Sequence, residues 1–179
     1  MAETQQSTNL EKPPPGVVER YFKKHFRIDL KGKKYEDQVV LTHSNRVCVV
    51  CIAESHPICS EKKEVIKVDF EVKGSNRMDN KMSGKAKRGA QWLGPTAVLC
   101  EVTCSDESKY TLYCCVKGQL VEVNENLITK PCLLTEKPLG AGYLAVMLPG
   151  LKHFDKEIAQ LMCEEKYKKA LEERSTNVS

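Results

Sequence analysis

A chain of 179 residues with 41% hydrophobic and 29% charged side chains has the balance of an ordinary globular domain and is long enough to bury a core. It contains no run of about 18 apolar residues, hence no candidate membrane-spanning helix. Its 28 basic against 24 acidic side chains leave a formal charge of +4, which permits an acidic partner without demanding one. Nine cysteines would suggest disulfides in a secreted chain, but the number is odd, and MAETQQSTNLEKPPPG lacks the basic-then-apolar order of a signal peptide. Most of the cysteines sit inside apolar runs (VCVVCI, VLCEV, LYCCV), so they are expected to be reduced core residues in the cytosol or nucleus.

Residues 1–16 are polar and end in Pro13-Pro14-Pro15-Gly16, a composition expected to form a disordered tail. In VVERYFKKHF, apolar Val17, Val18, Tyr21, Phe22 and Phe26 recur at helical spacing and predict a short helix. DQVVLTHSNRVCVVCIAE predicts two strands around a turn at Ser44-Asn45. In VIKVDFEV, Ile66, Val68, Phe70 and Val72 alternate with charged residues, the pattern of a half-buried strand. KGSNRMDNKMSGKAKRG is polar and glycine-bearing, hence loop.

AVLCEVTC, the turn SDES and KYTLYCCV then predict a hairpin, followed by strands in QLVEVN and GYLAVML, with Pro149-Gly150 closing the β region. FDKEIAQLMCEEKYKKALEE places Phe154, Ile158, Leu161 and Met162 on one face, and Tyr167, Ala170 and Leu171 on another. That suits one bent helix or two short ones with Cys163 at an N-cap position. The expectation is a single domain over 17–173 with a flexible tail at 174–179. Its class is mainly β, a small barrel or sandwich with terminal helices.

Cys48 and Cys51 form a CxxC, which invites a metal or redox reading. The pair lies in a strand-like run, however, where residues three apart point to opposite faces, and no second CxxC or H-x3-H completes a zinc site. Cys114-Cys115 reads as a vicinal pair on a strand with diverging side chains, and core packing is the better account of both pairs. His25, His43, His56 and His153 are dispersed without nucleophile or metal-ligand spacing, and His56-Pro57 reads as a turn. With no GxxxxGK[ST] or GxGxxG loop, enzymatic activity has no positive support. Lys81, Lys85, Lys87 and Arg88 cluster beside Trp92, the sole tryptophan. Such a cluster suits an acidic protein surface or nucleic acid. The plainer reading, preferred on residue pattern alone, is a solvated loop with the indole tucked into the core.

GQLVEVNENL followed by KP, then EKPLGAGYLAVMLP, resembles the second half of the glycine-cleavage H proteins, and LMCEEKYKKALEE resembles their C-terminal helix. The resemblance covers roughly Lys81 to Glu173 and implies a barrel-sandwich hybrid related to lipoyl domains. In that family the lipoylated lysine sits at a hairpin tip, eleven residues before the glycine that matches Gly118; the same count here reaches Glu107. A carboxylate cannot form the amide to lipoate, so the resemblance implies the carrier's fold without its cofactor, with Lys109, an even step of two residues along the strand, as the fallback position.

Across nearly the whole chain, RYF, LTHSNRVCV, AESHP, NKMSGKAKRGAQWL, CSD and VNENLITKP resemble the actin-binding transcription modulator family. That resemblance implies a non-enzymatic protein that binds actin monomers and filaments and acts in filopodial and dendritic remodelling. It also implies a nuclear, transcription-related role, with residence in nuclear speckles and in cytoplasmic protrusions such as lamellipodia, growth cones and dendrites. A lipoyl-type carrier and a nuclear RNA-binding scaffold remain as alternatives. No small-molecule substrate or membrane partner is expected.

Overall fold

The computed structural model describes residues 13–80 and 89–177. Lys81, Lys85, Lys87 and Arg88, most of the expected N-terminal tail and the last two residues lie outside the described residues. Gly16 opens α1 (Val17–Tyr21), its N–H donating to Glu19 Oε2 at 3.2 Å in a capping arrangement. The chain then turns into β1 (Phe22–Arg27), where a continued helix was expected. The error has a physical source: Phe22 and Phe26 are four apart, a spacing that keeps two side chains on one face of a strand as well as of a helix.

The antiparallel pair β2 (Gln38–His43) and β3 (Cys48–Ile52) forms as expected around the Ser44-Asn45 turn. After α2 (Pro57–Ser60) come β4 (Val65–Asp69), the short pair β5 (Glu71–Val72) and β6 (Ser75–Asn76), and β7 (Trp92–Leu93). The hairpin β8 (Val98–Cys104) and β9 (Lys109–Tyr113) leads to β10 (Gly118–Val123). Two short helical turns, α3 (Asn126–Thr129) and α4 (Leu133–Glu136), precede β11 (Ala145–Leu148). The C-terminal region resolves into two helices, α5 (Phe154–Ala159) and α6 (Glu164–Thr176), separated by β12 (Met162–Cys163). Cys163 occupies the N-cap position of α6 but makes no side-chain cap bond.

One sheet has the order β12-β1-β2-β3-β11-β10-β7 and a second has β4-β8-β9. Val40, Cys48, Val50, Leu120 and Met147 of the first meet Val68, Cys100, Val102 and Leu112 of the second in the principal core. The outer face of the first sheet carries a smaller core in which Phe26, Val39, Leu41, Cys51 and Ala53 pack against Tyr167 of α6. The central strands β2 and β3 are therefore apolar on both faces, which is why they read as runs rather than as clean alternation. Bulges explain the remaining departures. Ile66 lies at a register shift in β4, so it is 56% exposed while Val65 turns inward, against the alternation predicted. A second shift in β8 leaves Val98, Leu99 and Cys100 all buried.

Two polar contacts fix the ends of this architecture. Asp37, fully buried, receives Arg174 Nη1 at 2.5 Å and the Tyr167 hydroxyl at 3.0 Å, while Arg174 Nη2 also reaches Asp29 Oδ1 at 3.0 Å. The Arg174 guanidinium further lies over the Tyr35 ring at 5.2 Å. These contacts hold a loop in which Asp29, Lys31 and Tyr35 all adopt positive φ. Helix α6 thus continues through Thr176, and Arg174, expected at the start of a flexible tail, is a structural anchor. His56, expected to begin a turn, caps α2 and is fully buried: its Nδ1 accepts from the Ile58 N–H at 3.2 Å, and its Nε2 has no partner among the described residues.

Removing the cation by Arg174→Met leaves Asp37 buried with neutral donors, the Tyr167 hydroxyl and the Asp29 N–H at 3.3 Å, and is expected to cost about 3 kcal/mol in urea unfolding. Adding Asp37→Asn to that variant should recover part of the loss, because the uncompensated charge goes with it. Burial pulls the His56 imidazole down to about 4 even though Asp37 favours its protonation. The unfolded chain takes up this proton near pH 6.5. Between these values it therefore binds more protons than the folded chain, and stability falls as the pH falls. About 2 kcal/mol present at pH 7 should be lost by pH 5 through this residue. His56→Asn, which keeps an acceptor for the cap, should flatten that dependence in paired urea titrations.

Candidate functional site

The polar loop after β6 is tied down on both sides of the basic segment. Arg77 is buried; its Nε and Nη2 donate to the Val98 carbonyl at 3.0 and 2.9 Å, and its Nη1 donates to Gln91 Oε1 at 2.7 Å. Gln91 Nε2 donates back to the Asn76 carbonyl at 3.0 Å. Asn80 Oδ1 accepts from the Gln91 N–H at 2.9 Å, while Asn80 Nδ2 donates to the carbonyls of Leu120 and Val121 on β10. The residues on either side of 81–88 are thus bonded to each other and to one strand. Asn80 and Gln91, bonded to each other, flank the sequence that carries Lys81, Lys85, Lys87 and Arg88, and Gln91 immediately precedes Trp92 in the chain.

Trp92 is 58% exposed at the open edge of the larger sheet. The sequence expectation of an indole tucked into the core is corrected here, and the cause is local. β7 is only two residues long, and Trp92 pairs with Gln119 on the outward face of β10 while Gly118 faces inward. Gly118 is required by a close approach: a Cβ there would lie 2.6 Å from the Leu148 carbonyl oxygen and 2.8 Å from Pro149 N. That contact lets the chain leaving β11 pass over β10 to the indole, where a Cβ on Gly150 would meet Trp92 Cη2 at 3.8 Å. Leu151 follows with 71% exposure. Sequence reasoning missed Leu151; its one signal is a leucine after Pro149-Gly150 in a stretch otherwise polar to His153.

The β8–β9 hairpin presents a different chemistry at its tip. Glu107 lies in the turn, exposed, with φ +66°. Asp106 beside it takes Lys63 Nζ at 2.5 Å and accepts from both the N–H and the hydroxyl of Ser108. The Lys63 ammonium holds the Asp106 carboxyl well below the usual carboxylate range. Lys109 sits on the strand opposite Thr103, and Lys63 is committed to Asp106 and Glu61.

Six of the nine cysteines are buried, while Cys59 is half-buried and Cys132 and Cys163 are exposed. Cys48 packs in the principal core and Cys51 in the smaller one, on opposite faces of β3 as expected, and burial pushes both thiols up to about 12. Cys114 and Cys115 depart from the expected strand pair. β9 ends at Tyr113, Cys115 adopts φ +64°, and both side chains join the same core. Among the described residues no three His, Cys, Asp or Glu side chains converge as a metal site. A cavity of 160 Å³ beneath α6 is floored by Phe26 stacked on Tyr167 at 3.8 Å and walled by Leu139 and Leu171. Lys24, Glu54, Glu164 and Lys168 also line it, and its Ser55 and Tyr167 hydroxyls are bonded to each other.

The sequence profile of the glycine cleavage H-protein family matches residues 103–174. The chain is also similar in structure to a glycine cleavage system H protein from Mycobacterium marinum, with a TM-score of 0.54 and 15% identity over 81% of this chain and 93% of that one. This likeness shows the fold: mainly β, with the barrel-sandwich architecture of the H proteins. Protein Abitram of Danio rerio is 44% identical over 166 residues, which span 92% of this chain and 94% of that protein. Protein Abitram of Homo sapiens is 42% identical over 89% of each chain, and that of Dictyostelium discoideum 35% identical over 86% of each. The chain therefore belongs to the Abitram family.

Proposed function

We propose that this protein is a non-enzymatic actin-binding protein that engages monomeric and filamentous actin and thereby regulates polymerisation, filopodial dynamics and dendritic branching. The same proposal includes a transcription-related role in the nucleus, with residence in nuclear speckles and in lamellipodia, growth cones and dendrites. The observation that carries it is the open sheet edge, where an exposed tryptophan stands beside the closed root of a segment bearing Lys81, Lys85, Lys87 and Arg88. Actin presents an acidic surface, to which such a segment is electrostatically complementary. A rigid β scaffold bonded at both ends is suited to hold that surface still, which lowers the entropy cost of association.

The carrier alternative has less support, because the hairpin tip offers Asp106 and Glu107 rather than a lysine. An RNA-binding scaffold draws on the same basic segment, yet Trp92 stands there as a single aromatic, where single-strand binders stack successive bases on several.

Reversing Lys85, Lys87 and Arg88 to glutamate is expected to weaken filament co-sedimentation and monomer binding by roughly tenfold or more. The thermal unfolding midpoint should remain unchanged. The wild-type interaction should also weaken as salt rises. Unchanged binding by the folded triple variant would remove this segment from the interaction.

A further inference from the structure

The basic segment alone gives a partner little to distinguish one acidic surface from another. The described residues beside it supply something more specific. Trp92 is 58% exposed and Leu151 71% exposed, and they are brought to one edge by the passage of Pro149 and Gly150 over Gly118. An indole more than half exposed at the end of a two-residue strand keeps a large apolar surface available to a partner. The surrounding charge is basic. Lys117 immediately precedes Gly118, the ladder partner of Leu93, and Lys152 follows Leu151; both are exposed. Neither is in an ion pair among the described residues. The nearby acids offset this only in part: Glu157 is buried and accepts from the Lys117 N–H at 3.1 Å, leaving Asp155 exposed.

We infer that Trp92 and Leu151 are the apolar anchor of a docking surface for an acidic protein, with Lys117 and Lys152 as its rim. The inference rests on the reading of the protein as an actin binder and names the part of the surface that holds the partner once charge has brought it close. An aromatic anchor inside a charged ring is the arrangement that concentrates binding energy in protein interfaces. The aliphatic neighbour favours an apolar cleft on a protein over the flat face of a base. The loop charges govern encounter and salt dependence, and the anchor governs the lifetime of the complex.

Because Trp92 is the sole tryptophan, 5-fluorotryptophan labelling gives one fluorine resonance that reports on this position alone. Titration with unlabelled monomeric actin in non-polymerising buffer is expected to shift or broaden that resonance. Trp92→Ala and Leu151→Ser, both at exposed positions, should retain the wild-type melting midpoint. Trp92→Ala should weaken actin affinity on the order of 30-fold, and Leu151→Ser by a smaller factor. If wild type binds actin while the resonance stays put and Trp92→Ala binds within about twofold, the anchor is overturned and the actin reading survives. If wild type does not bind actin at all, both fall. A resonance that responds to homopolymer RNA at physiological salt but not to actin overturns the anchor in favour of a nucleic-acid surface.

Discussion

The contact between Gly118 and the backbone of Leu148 and Pro149 determines how this fold meets its surroundings. β10 is bonded to β11 on one side and to β7 on the other, so it joins the interior of the larger sheet to its open edge. With only a hydrogen at Gly118, the chain leaving β11 lies directly on that strand, and any Cβ would collide with main-chain atoms that have no rotamer to move. The same contact carries Gly150 to the Trp92 ring and Leu151 into solvent. A glycine that reads in sequence as a strand boundary is thus the residue on which the exposed apolar edge depends.

The remainder of the molecule holds that edge still. The central strands are covered on both faces, by the second sheet on one side and by α6 on the other. The α6 layer is fixed by the buried Asp37 carboxylate through Arg174 and Tyr167. Arg77, Asn80 and Gln91 bind the root of the basic segment to the same framework. At the β8–β9 hairpin, Asp106 and Lys63 tie the tip to the chain entering β4. The fold is that of the glycine cleavage H proteins, and within it the exposed apolar side chains Trp92 and Leu151 lie at the sheet edge rather than at the hairpin tip.

Much of the fold was legible because apolar runs bounded by turn residues survive any packing arrangement: β2, β3, the β8–β9 hairpin, β10 and β11 all lie where the sequence places them. The misreadings share a cause. Phe22 and Phe26 suit a helix and a strand equally, and only the pairing of β1 with β2 and β12 decides between them. Ile66 alternates correctly on paper, but a bulge chosen by the facing strand turns it outward. Arg174 looks like tail because its partners Asp29 and Asp37 are more than 130 residues away in sequence. At the candidate site the basic cluster was visible as composition. The exposure of Trp92 and its approach to Gly150 were not, since they follow from the order of strands rather than from any local pattern.

Amide hydrogen exchange of the full chain, free and with monomeric actin, tests most directly whether the open sheet edge is the working surface. Protection is predicted over residues 80–93 and 149–153, with the hairpin tip at 104–109 exchanging as in the free protein. Protection confined to the hairpin tip, or an actin complex that leaves the sheet edge unchanged, would contradict it.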